Sequence, residues 1–328
     1  MIRFFRGSGV GPVTVLILAA LALWSEYFVS PPQIPVNTDA MPMPVWGFIS
    51  GPLSSSPLLS VIISFLFVLA VVMVMVRFNT SIFFIPRRTF LPGLLYLMLY
   101  SVFHSEMVLN PALPASLLIL AATWRMISSY RVNGMTFNFF DAALLISSAG
   151  LIYAGSVWFI LLVFIGALVL RSPDARELTL ALIGAVLPWI VMYAIWFLTG
   201  RDPGDLTEII RHNLFDRAPS LTWSRTLIIL LILVGISFLP SLIYLAREMP
   251  TYKIRSRKTF ELFIWTMAIS AAAFILVPAV SVEIMAVAAL PVAFILASHL
   301  TFTRRTVVAE IMFWLIAVMI AVSRIWPV

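Results

Sequence analysis

Residues 139–200 read "FFDAALLISSAGLIYAGSVWFILLVFIGALVLRSPDARELTLALIGAVLPWIVMYAIWFLTG". Apolar runs fill the stretch, broken only near Tyr153 and at Arg171-Ser-Pro-Asp-Ala-Arg176. The last run, 178–199, is long enough as a helix, at about 1.5 Å per residue, to cross a hydrocarbon core roughly 30 Å thick. Period-two alternation is absent, which argues against a transmembrane barrel. Helices are then what satisfies every backbone group in lipid. The stretch predicts spans at 141–154, 157–170 and 178–199.

The same pattern continues in both directions. Further spans are expected at 11–29, 58–76, 90–103, 111–127, 226–246, 259–277, 284–302 and 307–325, about eleven in all. The shortest of these allow tilted or partly re-entrant segments. The fold class expected is all-α, a polytopic transmembrane helical bundle in which residues 1–328 form a single integral membrane domain. Composition agrees: 62% of residues are hydrophobic and 11% charged, against roughly 25% charged in soluble proteins, and the mean hydropathy is +1.07. The start, "MIRFFRGSGVGPVTVLILAALALW", has a basic beginning and a long apolar run followed by "WSEYF", so it is expected as an uncleaved first span.

Net charge is +7, but the basic residues lie scattered in short loops, which points to topology rather than to nucleic acid. With the amino terminus in the cytoplasm, sixteen of the 21 basic residues fall on the inner side, as the positive-inside rule requires. The carboxyl terminus then lies outside. The inner (cytoplasmic) membrane is the expected location. With no cysteine, disulfide and thiolate chemistry are excluded, and three scattered histidines make a zinc site an unexpected feature. No cofactor is assigned from the residues.

Two outer loops have length enough for structure. Residues 30–57 hold seven prolines and no basic residue, so an extended, turning path is expected there, with Trp46 and Phe48 as interfacial anchors. Residues 200–225 begin with a turn signal, and "DLTEIIRHNLF" then has the spacing of an amphipathic helix, with Leu206, Ile209, Ile210 and Leu214 on one face. An ionisable group within a span costs several kcal/mol, about +2.5–3.5 at the centre of a helix, and is a functional candidate by default. Asp141, Glu261 and Glu310 open helices, where a carboxylate complements the dipole, and His299 is expected as a packed histidine. The chemistry-bearing residues expected to gather on the outer face are Glu26, Asp39, His104 and Glu106 as candidate bases, with Asn110, Tyr153 and Glu283 beside them. Arg201, Arg211 and Arg217 are candidate holders of a lipid phosphate.

The stretch at 139–200, with "FNTSIFFIPRRTFLPGLLYLMLYS" at 78–101 and "SVEIMAVAALPVAFILASHL" at 281–300, resembles an uncharacterised family of multi-pass inner-membrane proteins from Bacteroidota, a domain of unknown function. A carboxylate after the first span, a long first outer loop and later Gly/Pro helices are also similar to membrane-embedded polyprenyl-phosphate-dependent glycosyltransferases. That resemblance implies an acidic catalytic residue in the first outer loop, here Glu26 or Asp39. The chain departs from the pattern in having no adjacent acidic pair there and no large soluble carboxyl-terminal domain. Three functions stay open on the residues: an envelope enzyme using a lipid-linked donor such as a polyprenyl phosphate, a scaffold bound to an envelope protein partner, and a transporter or flippase. Membrane lipids are expected partners in each, and nucleic acid in none.

Overall fold

A computed structural model describes residues 10–31, 41–53, 56–85, 89–103, 108–130, 137–170, 174–215, 225–303 and 306–325. Among the described residues all regular structure is helical. The helices are α1 (Val10–Val29), α2 (Pro44–Leu53), α3 (Pro57–Ile82), α4 (Leu91–Ser101), α5 (Ala112–Ser128), α6 (Asn138–Gly150), α7 (Ile160–Leu170), α8 (Ala175–Leu198), α9 (Pro203–Phe215), α10 (Arg225–Glu248), α11 (Ile254–Leu276), α12 (Met285–Phe302) and α13 (Thr306–Ile325). A 3-10 segment, Ala154–Phe159, leads into α7.

Among the described residues six segments are long and apolar enough to cross a membrane: Gly11–Val29, Pro57–Ile82, Ala175–Leu198, Arg225–Thr251, Ile254–Leu276 and Val282–Phe302. Six is fewer than the eleven expected, and most of the difference lies in α4 to α7, which run only 11 to 17 residues. The reason is visible in α4. Every residue from Leu91 to Ser101 is buried, and at 11 residues the helix is roughly 16 Å long. The chain goes on without helix through Phe103 and returns at Val108, Leu109 and Asn110, all buried. Irregular backbone at such depth is tolerated where protein, rather than lipid, surrounds it.

The centre of the bundle is α12 packed on α4, with α3, α5, α10 and α11 around the pair. Phe294 of α12 stacks on Phe263 of α11, centroids 4.6 Å apart, and meets Phe78 and Phe84 at 5.6 and 5.2 Å. These tilted and edge arrangements are the ones ring quadrupoles favour. Phe78 and Phe84 are aimed by the turn that ends α3. There the buried Asn79 accepts the Phe83 N–H on its carbonyl and the Ile85 N–H on Oδ1, at 2.7 and 3.2 Å, while Phe83 takes a left-handed φ of 56°. Gly184 of α8 serves close packing of another kind, since a Cβ there would lie 2.5 Å from the carbonyl oxygen of Phe140 on α6.

End-to-end contacts fix the helix directions. Arg324, ending α13, bonds the Leu23 carbonyl at 2.7 Å and pairs with Glu26 at 3.3 Å, so α1 and α13 finish on one face. Val45 of α2 donates to the Leu151 carbonyl, and Asn213 of α9 to the Met41 carbonyl, which puts α2, the end of α6 and α9 together on that face too. On the opposite face Arg125 pairs with Asp141, joining α5 to α6, and Tyr252 meets Ser298 of α12.

Two expectations for the first outer loop are revised. Pro44–Leu53 is helical rather than extended, with Pro44 at the start where a missing N–H costs nothing. Trp46 is buried in the core instead of anchoring at the interface, and Phe48 alone is exposed.

Candidate functional site

The two long loops on the α9 face meet, and the corner between α8 and α9 makes them do so. Gly200 takes φ +75°; its N–H reaches the Phe197 carbonyl and the Arg201 N–H reaches that of Trp196. This is the paired capping pattern that a glycine in the left-handed region allows. Asp202 then caps the start of α9, its Oδ1 accepting the Gly204 N–H at 2.8 Å, and Asp205 in the first turn suits the positive end of the helix. Leu206 is fully buried against Leu151, Met192 and Trp196, with Val45, Ile209 and Ile210 packed around them. Tyr193 and Thr207, hydroxyls 2.9 Å apart, pin α9 to α8. The apolar face read from the sequence is therefore the face that docks.

That docking leaves the other side of α9 lining a cavity of about 500 Å³, bounded by Met41, Gly204, Thr207, Glu208, Arg211 and His212. Positions 204, 207, 208, 211 and 212 repeat at three and four residues, so their side chains form one stripe with neighbouring Cβ atoms about 5–6 Å apart. The stripe runs on to Phe215, which with Leu214 at the edge of the docking face lines a second recess of about 410 Å³ beside Trp158, Leu161, Ile269, Ala272, Ala273, Leu276, Val277 and Pro278. This recess is almost wholly apolar. Its polar exception is Trp158, whose Nε1 is buried with no hydrogen-bond partner among the described residues. A polar cavity and an apolar groove thus adjoin within one turn of a helix lying at the end of the bundle.

The candidates read from the sequence divide between places. Glu26 is held in the pair with Arg324 between α1 and α13. Arg201 lies with its guanidinium 4.7 Å from the centre of the Trp196 ring, a cation–π contact that braces the corner. Arg211 lines the cavity. Asp39, His104, Glu106 and Arg217 lie outside the described residues. Of the neighbours, Asn110 turns inward, accepting the Leu113 N–H and donating to the Tyr100 hydroxyl, and Tyr153 is buried with its ring over Gly155. Asp141 and Glu261 are engaged by basic residues, Asp141 by Arg125 and Glu261 by Arg257 and Lys258. His299 is packed as expected, bonded to Ser241 at 2.9 Å and stacked on Tyr244.

Glu208 and His212 are not among the candidates that the sequence singles out. They stand four apart on the amphipathic helix, on its polar side, and only the fold shows a cavity there. A carboxylate and an imidazole side by side can share proton transfer, and Arg211 between them can hold an anionic oxygen.

No curated protein and no solved structure matches the chain. A family of unknown function, DUF6427, matches residues 15–326, and this membrane protein therefore belongs to that family.

Proposed function

We propose that the protein binds a phosphate-bearing lipid at the α9 face and transfers a group from it. One observation carries the proposal: α9 joins a cavity lined by Glu208, Arg211 and His212 to an apolar groove lined by Leu214, Phe215 and Trp158. An amphiphile needs both surfaces, and needs them within reach of one molecule. The chain of the lipid lies in the groove and Arg211 binds the phosphate. The donor favoured is a sugar on a polyprenyl phosphate. An acceptor hydroxyl loses its proton to Glu208 or His212 as its oxygen bonds the sugar carbon, and the carbon–oxygen bond to phosphate breaks, leaving the phosphate on the lipid. Asp39 and Arg217, each two residues along the chain from Met41 and Phe215, are further candidates in this scheme, whereas Glu26 braces two helix ends.

The proposal takes all of α1, α3 to α8 and α10 to α13 as crossings of the inner membrane, with the amino end cytoplasmic and the α9 face outward. Alternation of the end contacts supports it, as does the basic character of the opposite face. The test is lipid identified by mass spectrometry after purification in mild detergent. Arg211→Ala and Ala272→Phe, which fills the groove without altering charge, are both expected to strip a phosphate lipid that the unaltered protein retains. Equal retention by all three would remove the proposal. A partner-subunit role is the second reading, favoured by the exposed Phe48 and Phe215 on the same face. A protein that copurifies stoichiometrically and leaves on Phe48→Ser would establish it.

A further inference from the structure

The opposite face holds a second cavity, of about 440 Å³, lined by Tyr130, Lys253, Ile254 and Arg255. It opens at the amino terminus of α11, a helix of 23 residues with no acidic residue in its first turn. The first three N–H groups of a helix have no partner within it, and aligned peptide dipoles make that end positive. Lys253, Arg255, Arg257 and Lys258 all crowd there. Four cations on the positive end of a helix repel one another and the dipole, an arrangement that local sequence preference disfavours and that an anion would relieve.

The cations are not equivalent. Arg257 and Lys258 share Glu261, at 3.6 and 3.4 Å. Across the face Arg125 takes Asp141. Lys253 and Arg255 form no ion pair among the described residues, and the Nε of Arg255 is buried without a hydrogen-bond partner. The side chain of Arg255 is only partly buried and lines the cavity with that of Lys253, so two charges face it with no carboxylate among the described lining residues. Tyr252 anchors the corner that carries Arg255: its hydroxyl shares a hydrogen bond with that of Ser298 at 3.3 Å, its ring packs on Phe260, and burial pushes its phenol above the ordinary range.

We infer that this cavity is a phosphate-binding site, in which the Arg255 fork and the Lys253 ammonium grip the oxygens, with the Tyr130 hydroxyl at the rim and the first N–H groups of α11 behind. Guanidinium geometry matches two phosphate oxygens at once, and an ammonium adds a point charge. The phosphate belongs either to an anionic membrane lipid or to a small soluble phosphate compound, since both present the same oxygens. The site lies at the opposite end of the bundle from α9 and does not depend on the function proposed there.

Full-length protein in nanodiscs of phosphatidylcholine alone is compared with protein in nanodiscs containing phosphatidylglycerol, and thermal midpoints are read with and without added glycerol 3-phosphate. A stabilising shift on adding glycerol 3-phosphate to the phosphatidylcholine discs identifies a soluble ligand. A shift that requires phosphatidylglycerol identifies a lipid headgroup. In either case Arg255→Gln is expected to weaken the effect at least about tenfold in ligand concentration, Arg255→Lys to weaken it less, and Arg257→Gln to leave it near the unaltered value. No shift from either source overturns the inference. So does an equal loss in Arg255→Gln and Arg257→Gln, because that would mean diffuse surface charge rather than a site.

Discussion

Helices α8 and α12 have nearly the same hydropathy, each with a proline inside, yet 17% of the one and 83% of the other is buried within the protein. Hydropathy reports compatibility with lipid, and lipid tails are as apolar as a protein core. What separates the two is side-chain size. The α12 sequence "MAVAALPVAFILASHLTF" places alanine or serine on every side, so neighbouring helices can approach all round. On α8, "LIGAVLPWIVMYAIWFL" presents Leu182, Ile183, Ile190 and Ile195 outward, with Gly184 as the close contact on α6. Small residues around a whole circumference mark an interior helix, and small residues on one stripe mark a peripheral one.

The largest effect should come from truncation at the centre. Phe294→Ala removes ring contacts to Phe78, Phe84 and Phe263 and is expected to cost about 3 kcal/mol, the low end for a buried phenylalanine because only packing is lost where lipid replaces water. Ile190→Ala on the exposed side of α8 should stay within about 0.5 kcal/mol. Both are read as unfolding free energies in mild detergent, and similar values for the two would break the contrast between the helices.

Next in size is Asn79→Ala. It leaves the buried Ile85 N–H without its acceptor, a loss of about 2 kcal/mol, and it also releases the turn that aims Phe78 and Phe84 at α12. In a double variant with Phe294→Ala the two costs should therefore sum to less than their separate values, since they share one cluster. Strict additivity would mean that the turn does not serve the centre. In the same turn Phe83 sits in the left-handed region with its ring half exposed, so Phe83→Gly should stabilise by up to about 1 kcal/mol by relieving backbone strain. A loss of stability there would assign the Phe83 ring a packing role.

This contrast also explains how far the sequence could be read. The amphipathic face of α9 was legible because Leu206, Ile209 and Ile210 recur at helical spacing and dock as that spacing demands. Short interior helices such as α4 gave an apolar signal without a length, since a helix wrapped in protein has no bilayer thickness to match. The site was less legible than the fold. Glu26, Arg201 and Arg211 are equally polar loop-end residues in the sequence, and only tertiary contacts send the first to Arg324, the second to Trp196 and the third to a cavity. Arg255 was legible only as one of many inner basic residues, because an unbonded Nε is a property of packing.

The smallest effect distinguishes brace from base at the perimeter. Glu26 and Arg324 form a partly exposed pair, worth about 0–1 kcal/mol, and Arg324 in addition donates to the Leu23 carbonyl. Arg324→Ala should then cost more stability than Glu26→Ala, because it alone leaves a backbone acceptor near the end of α1 unbonded. If Glu26 is a brace, Glu26→Gln keeps the contact to Arg324 as a neutral hydrogen bond and leaves the proposed lipid binding and group transfer unchanged. If Glu26→Gln instead abolishes the proposed transfer at full stability while Glu208→Gln retains it, that transfer belongs to the perimeter of α1 and α13 and not to the stripe on α9.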